Sequence, residues 1–150
     1  MRRVIIESPY KGRLNGTETD YRLQTSKNIR YARRCLRDSL NRGEAPIASH
    51  LLYPQVLADT VLEERKLGIE AGLAWQHVAD CSVFYTDSGW SEGMILALRR
   101  CILEDFNWTP RSLFGVQHIM PVPHHPLLAD EPFTSIIKEY FNDTSQARSG

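Results

Sequence analysis

Apolar and polar residues follow one another along the chain in blocks that predict strands and helices in regular succession. The β-branched run at residues 4–7 (VIIE) ends at Ser8-Pro9, which is typical of a buried strand, and a polar loop follows at residues 10–20 (YKGRLNGTETD). Over residues 20–42 apolar side chains recur every three or four positions, which predicts a helix with one buried stripe. The same criteria predict a strand at 45–50 (APIASH), a helix at 59–80, a strand at 81–86 (CSVFYT), a helix capped by Ser91 and a fourth strand at 112–120 (SLFGVQHIM). In the helix at 59–80 the residues expected to face inward are Val61, Leu62, Ile69, Leu73 and His77.

This β-α-β-α-β-α-β order predicts an α/β fold, in which helices cover both faces of a parallel sheet of about four or five strands. In such sheets ligands bind beyond the carboxyl ends of the strands. Three polar segments leave those ends, at residues 7–12 (ESPYKG), 49–55 (SHLLYPQ) and 86–94 (TDSGWSEGM). The sequence therefore predicts a ligand pocket where the three segments converge.

The composition changes after residue 120. Residues 121–132 (PVPHHPLLADEP) contain four prolines and are not expected to form a regular element. We therefore divide the chain into an α/β domain at residues 1–120 and a Pro-rich C-terminal extension at residues 121–150. Within the extension, residues 134–141 (TSIIKEYF) are expected to form a short helix, followed by a frayed end.

Two carboxylates in the third polar segment are the candidate catalytic groups. Glu92 lies in the first turn after the cap Ser91, where an acid either compensates the helix dipole by roughly 0.3–1 kcal/mol or serves as nucleophile or acid/base at the pocket. Asp87 ends the preceding strand and is either its catalytic partner or an ordinary turn residue.

The other candidates would hold a ligand. Small residues before a helix leave backbone N–H groups for an anionic group, although the segment is neither GxGxxG nor a P-loop. Trp90 either stacks on a base or covers the core, and His50 is either a ligand contact or a structural histidine. The candidate ligand-binding residues are Ser8, Pro9, Tyr10, His50, Ser88, Gly89, Trp90, Ser91, Gly93 and Met94. His118, His124 and His125 lack an acid at helical spacing, so we expect no metal site.

Composition narrows the classes of partner. Eighteen basic residues balance eighteen acidic ones, which gives no electrostatic footprint for a nucleic acid polymer or an anionic membrane. The apolar run near the start is shorter than the roughly 7–15 residues of a signal-peptide core, and none approaches the roughly 20 residues of a membrane span. Cys35, Cys81 and Cys101 are odd in number and widely spaced, which is typical of reduced thiols in a cytoplasmic protein.

Five segments in order carry a family resemblance: ESPYKG, NIRYARRCL, APIASHLLYPQVL, EERKLGIEAGL and DCSVFYTDSGWSEGM. Together they resemble the nucleoside 2-deoxyribosyltransferase-like superfamily, and in particular an uncharacterised branch found in bacteria and their phages. The resemblance extends from Val4 to Ile102. It implies a Rossmann-like three-layer domain that cleaves or exchanges the N-glycosidic bond of a nucleoside or nucleotide. It also implies a glutamate nucleophile, no metal or organic cofactor, and a homo-oligomer in which a neighbour completes the site.

The chain departs from the superfamily at that glutamate. The characterised pattern D-x-G-T-x-x-E aligns here with Ser91 at the aspartate position and Ala97 at the glutamate position. In the other register, which starts at Asp87, Glu92 comes one residue early, and one residue on a helix is a rotation of about 100°. Glu92 would then point away from the expected direction unless the turn is longer.

Two functions follow as hypotheses. The first is an N-glycosidase or deoxyribosyltransferase-like hydrolase, in which Glu92 attacks the sugar or activates water and Asp87 assists. The second is a non-catalytic protein that sequesters or senses a nucleotide-derived ligand, which the alanine at position 97 would allow. In both, the expected partner is a small nucleoside or nucleotide.

Overall fold

Four parallel strands in the order β2-β1-β3-β4 form the centre of the fold. The computed structural model describes residues 1–11 and 16–148, with side chains up to residue 143. The strands are β1 (Arg3–Glu7), β2 (Ala45–Ile47), β3 (Cys81–Tyr85) and β4 (Trp108–Arg111). The α-helices are α1 (Glu18–Asn41), α2 (Ser49–Leu52), α3 (Leu62–Ala74), α4 (Glu92–Leu103) and α5 (Phe133–Arg148). The predicted three-layer, Rossmann-like α/β fold is confirmed.

The strand order defines where a ligand can enter. From β1 the chain goes to one neighbouring strand, β2, and then returns across β1 to its other neighbour, β3. Connections therefore leave β1 and β3 in opposite directions, and such a reversal opens a crevice beyond the carboxyl ends of the two strands. In the register of this pair Ile5 lies beside Ser82 and Glu7 beside Phe84. The segments after residues 7 and 85 thus flank the crevice, as the sequence predicts.

The face of the sheet toward α1 has its own apolar cluster. Val4, Ile6, Val83 and Tyr85 alternate along the two central strands and pack against Cys35 of α1. A capping box between Thr17 and Asp20 begins that helix, which starts two residues before the predicted position. Gly43 follows the C-cap Arg42 with φ of +78°, a conformation that favours glycine at the end of a helix.

A nearly buried ion pair closes the same face. Arg111 of β4 donates two hydrogen bonds to the carboxylate of Glu44, at 2.9 and 3.0 Å. Ser39 also donates to Glu44, at 2.6 Å, and Arg111 donates to the Tyr85 hydroxyl at 3.1 Å. The Arg111 hydrogen bond holds the pKa of the Glu44 carboxyl below its usual value, against the opposing effect of burial. This pair links the edge strand to the loop after α1.

The opposite face is covered by α4 and by the C-terminal residues together. Phe84, Met94 and Leu98 form one buried cluster with Leu128 and Phe133. The boundary predicted after residue 120 therefore does not separate two cores. The terminal helix, predicted over residues 134–141 with a frayed end, instead extends from Phe133 to Arg148, and residues 149–150 lie outside the described part.

Two strand predictions are corrected by the structure. The fourth strand lies at Trp108–Arg111 and not at residues 112–120, where Gly115 has φ of +108° and a 3-10 turn follows. Pro110 is tolerated there because β4 is an edge strand. The second strand ends at Ile47, so His50 lies in the first turn of α2 rather than at a strand end. In the first predicted loop, residues 12–15 lie outside the described residues.

The third helical segment is shorter and less buried than predicted. The α-helix covers Leu62–Ala74 and continues as one 3-10 turn, Trp75–His77. Val61, Leu62 and Ile69, predicted to face inward, are 46%, 64% and 52% exposed, and His77 is also exposed. The helix forms the wall of a cleft, so much of its apolar surface is not covered by a second layer. Among the described residues, none of the helices has the length and apolar character needed to cross a bilayer.

Candidate functional site

A cleft of about 1480 Å³ opens over the sheet between α3 and α4. Ile5, Glu7 and Ser82 of the central strands line its floor. Glycines on the two helices, Gly68 and Gly93 among them, line its walls. The cleft lies at the crevice that the strand order predicts, and its volume exceeds the roughly 300–1,000 Å³ of most small-molecule pockets, so it has room for a small organic ligand.

Glu7 supplies a carboxyl group at the floor of this cleft. The side chain is partly buried, and no hydrogen bond or ion pair joins it to another residue in the described part of the chain. Burial raises the pKa of the Glu7 carboxyl from 4.5 to about 7. Close to neutral pH the group is thus divided between its protonated and ionised forms, which is what a general acid or base requires.

Sequence reasoning missed Glu7, which it read only as the last residue of a strand. The available signal was strand periodicity. Ile5 and Glu7 share one face of β1, while Val4 and Ile6 share the other, so an acid occurs on a face that helices were predicted to cover. An acid in such a position either has a buried partner or borders a cavity.

The candidates that follow β1 are brought together with His50. The Ser8 hydroxyl lies 2.8 Å from Nε2 of His50, and the Tyr10 ring meets the imidazole edge-on at 6.3 Å between ring centroids. Burial lowers the pKa of His50 to about 4, so its imidazole is neutral at physiological pH. These residues and Pro9 line the cleft. They offer hydroxyl, imidazole and aromatic contacts for a bound molecule.

The turn between β3 and α4 supplies the opposite side of the cleft. The candidates from this turn that line the cleft are Ser88, Trp90, Ser91, Glu92, Gly93 and Met94. Gly89 instead closes the turn, with φ of +83° and an N–H donated to the carbonyl of Thr86 at 2.8 Å. The Ser91 hydroxyl caps α4 by accepting the Met94 N–H at 3.3 Å, so this helical N–H is not free for a ligand.

Asp87 does not contribute to the cleft, and its predicted catalytic role is not supported. Its carboxylate accepts the Tyr31 hydroxyl at 2.5 Å, the Ser112 hydroxyl, and the Leu113 N–H at 3.1 Å. Its backbone N–H donates to the Tyr31 oxygen at 3.0 Å. Tyr31 belongs to α1, which packs on the other face of the sheet. Asp87 therefore joins α1 to the segment after β4. Of the two roles considered from the sequence, the structural role in the turn fits these contacts better than the catalytic one.

Trp90 covers the core and borders the cleft at once. Its ring stacks on Phe84 with centroids 5.2 Å apart and planes 26° from parallel. The indole N–H donates to the Met120 carbonyl at 3.0 Å. Because this hydrogen bond and the stacking fix the indole, Trp90 gives the cleft a rigid aromatic surface.

Glu92 is one of the residues that line the cleft, and it lies at the rim. Its side chain is 67% exposed and lies 2.8 Å from Nε2 of His125, measured to Oε2. Ala97, further along α4, also lines the cleft and is partly buried. The position at which the resembled superfamily has its glutamate thus does face the cleft, but it carries a methyl group.

Sequence reasoning assigned no role to His125, and no local signal joins it to Glu92, because the two residues are 33 positions apart. His118 and His124 do not take part in this contact. Within residues 1–11 and 16–148, no three His, Cys, Asp or Glu side chains are grouped so that they could hold a metal ion. The polar groups that line the cleft are carboxyl, hydroxyl, imidazole, amide, ammonium and guanidinium groups.

Comparison with known proteins gives a family but no activity. Residues 2–108, more than half of the chain, match the model of a family described as Domain of unknown function (DUF7768). No match was found among curated proteins, and none was found among solved structures. The matched region includes Glu7, His50 and Glu92 and ends at the first residue of β4. The protein is a member of this DUF7768 family.

Proposed function

We propose that the protein binds a nucleoside or nucleotide in the cleft and hydrolyses its N-glycosidic bond. The observation that carries the proposal is that Glu7 and Glu92, two of the carboxyl groups that line the cleft, are in opposite environments. Glu7 is withdrawn from water on the floor, whereas Glu92 is solvated at the rim. Glycosidic hydrolysis commonly uses such a pair, in which one carboxylic acid protonates the leaving group and one carboxylate acts at the sugar.

The reaction can be assigned to the two groups with its atoms balanced. Glu7 in its protonated form gives its proton to the nitrogen of the base as the bond between that nitrogen and the anomeric carbon breaks. The Glu92 carboxylate either attacks the anomeric carbon, forming an ester that water then hydrolyses, or removes a proton from the attacking water. The products are the free base and the free sugar, or sugar phosphate.

The remaining side chains suit the ligand. Trp90 and Tyr10 provide aromatic surface for a base, and the Ser8–His50 pair provides hydrogen bonds for sugar hydroxyls. The resemblance to the nucleoside 2-deoxyribosyltransferase-like superfamily supports the same substrate class. Ala97 then requires that another carboxylate replaces the missing glutamate, and Glu92 is on the same helix.

A binding protein without catalysis is the second candidate. It is favoured by Ala97 and by cationic side chains at the cleft, among them Lys11 and Arg65. Burial and, next, the nearby charge of Arg65 lower the pKa of the Lys11 ammonium, so the two cations are close. Lys11 is also ion-paired with Asp59 at 2.5 Å. Lys11 and Arg65 together provide positive charge for the phosphate of a nucleotide, even if no bond is cleaved.

The test measures base release and binding separately. Purified protein is incubated with a panel of ribo- and deoxyribonucleosides and their 5′-monophosphates, and the free base is quantified by chromatography. Release that is lost in both Glu7→Gln and Glu92→Gln, and retained in Glu70→Gln, would support the proposal. Glu70 is an exposed glutamate that does not line the cleft, so it controls for loss of charge alone.

Binding is followed on the same panel by thermal shift. If a compound raises the melting temperature but no base is released, the protein binds the compound without cleaving it. This result would favour the second candidate, a binding protein, over the N-glycosidase. Release that survives in Glu92→Gln would contradict the role of Glu92. If no compound of the panel releases base or shifts the melting temperature, nucleosides and nucleotides are not ligands of the protein.

A further inference from the structure

We propose that His125 is a positioning residue, whose neutral imidazole donates its Nε2–H to Glu92 and holds that carboxylate at the cleft. The catalytic meaning of this contact rests on the proposed function. The residue lies outside the region that matches the family, within the Pro-rich segment that follows β4. The site is thus completed by a part of the chain that the family model does not include.

The protonation state of the ring follows from its two contacts. Nδ1 of His125 accepts the backbone N–H of Leu127 at 3.1 Å, so this nitrogen carries a lone pair and no proton. A neutral imidazole with a bare Nδ1 has its proton on Nε2. Nε2 lies 2.8 Å from Oε2 of Glu92, which can only accept when ionised. The contact is therefore an N–H donated to a carboxylate.

The segment that carries His125 is fixed to α4, the helix from which Glu92 projects. Leu128 and Phe133 are 4% and 3% exposed and pack in the cluster of α4. Arg99 of the same helix donates to the Leu127 carbonyl at 2.5 Å, and its guanidinium lies 4.5 Å from the centre of the Phe133 ring. These contacts hold the histidine and the glutamate in a fixed relation.

An exposed glutamate needs such support. A side chain that is 67% exposed has several rotamers, and only some of them direct the carboxylate toward a bound ligand. A displacement of about 1 Å at a reacting group can reduce a rate about 10²-fold. A hydrogen bond from a partly buried, anchored imidazole selects one orientation before the substrate binds.

The rival explanation is that His125 only caps the 3-10 turn Pro126–Leu128 by accepting the Leu127 N–H. Two substitutions separate the roles. His125→Asn keeps an acceptor near the Nδ1 position but removes the donor to Glu92. His125→Gln carries an amide donor that reaches toward Glu92 but gives up the cap. His124→Asn, at the exposed neighbouring histidine, is the control.

Positioning predicts that base release falls about 10²-fold in His125→Asn and is retained within about tenfold in His125→Gln, with His124→Asn unchanged. Capping predicts the reverse order, since asparagine is a good cap and glutamine is not. The reverse order, or wild-type release from His125→Asn, would overturn the inference. Equal KM values in the variants, with the loss in kcat, would further indicate that the carboxylate is misdirected and that binding is intact.

A measurement without substrate keeps this inference separate from the proposed function. Long-range ¹H–¹⁵N spectra of histidine distinguish the two neutral tautomers. We expect the Nε2–H tautomer for His125, with its signals displaced in Glu92→Gln. An Nδ1–H tautomer, or signals that do not respond to Glu92→Gln, would overturn the inference even if the protein releases base. If no nucleoside or nucleotide is cleaved, the proposed function fails while the spectra still decide the contact.

Discussion

Replacing Glu7 by glutamine is expected to stabilise the folded protein more and more as the pH rises. The folded-state pKa is about 7 and the ordinary value is 4.5, because the carboxyl is buried without a partner among the described residues. A group whose pKa is raised on folding contributes stability that is present below the unfolded value and is lost as the pH rises to the folded value. Each pKa difference of one corresponds to about 1.36 kcal/mol, so the loss reaches about 3 kcal/mol. Glutamine has nearly the same volume and does not titrate, so the variant escapes this loss.

The assay is urea unfolding of wild type and Glu7→Gln across a pH series. The difference in the free energy of unfolding should grow by about 3 kcal/mol between about pH 4.5 and about pH 8, with most of the change complete by about pH 7. Glu70→Gln is the control, because an exposed glutamate should change stability by less than about 0.5 kcal/mol at either pH. Base release should decline over the same pH range in which Glu7 loses its proton.

A difference between Glu7→Gln and wild type that stays constant with pH would refute the reasoning. It would show that the carboxyl is solvated or paired in the folded protein, and Glu7 would lose its basis as the general acid. If the difference in the free energy of unfolding instead grew toward low pH, this result would count even more strongly against a raised Glu7 pKa. Folding would then favour the ionised form of the carboxyl.

Three further substitutions test other features of the structure. Asp87→Asn should destabilise the protein by about 1.5–3 kcal/mol in urea unfolding, because three donors face its carboxylate, and ligand thermal shifts should persist. Arg111→Met should cost about 3–5 kcal/mol in thermal or urea unfolding, because it leaves Glu44, with a side chain only 10% exposed, without its partner, and a loss below about 1 kcal/mol would contradict the buried pair. Ala97→Glu returns a carboxylate to the position that the resembled superfamily uses, and base release should rise at least about tenfold, equivalent to about 1.4 kcal/mol of barrier. Unchanged release in Ala97→Glu would weaken the superfamily comparison.

The parts of the fold that the sequence predicts correctly are those with strong local patterns. The strand at Cys81–Tyr85 is a continuous apolar run, and α1 and α4 each have a clear stripe and a capping residue. The fourth strand was misplaced because WTPR contains a proline and is short, and only its position at the sheet edge makes it a strand. Apolar periodicity in α3 could not show that the helix borders a cleft, since a cleft wall and a core face have the same pattern.

The sequence predicts those site residues whose position follows from the order of the strands. It does not predict the contacts that side chains make with residues far away in the chain. Ser8, His50 and Glu92 all follow or adjoin strand ends, and the topology brings them to one cleft. Asp87 also follows a strand end, but its carboxylate turns toward Tyr31 on the opposite side of the sheet. No short-range signal gives the direction of such a side chain, because one residue changes the face of the sheet to which it points.

The family boundary at residue 108 crosses a unit that cannot be divided there. A fragment ending at this residue would lack most of the strand that pairs with β3, the partners of Asp87 at Ser112 and Leu113, and the carbonyl that anchors Trp90. Protein made for biochemistry should therefore extend through α5, which supplies Phe133 to the core. The same arrangement places the partner of Glu92 outside the matched region, so a change at His125 is expected to alter the carboxylate without altering the α/β body.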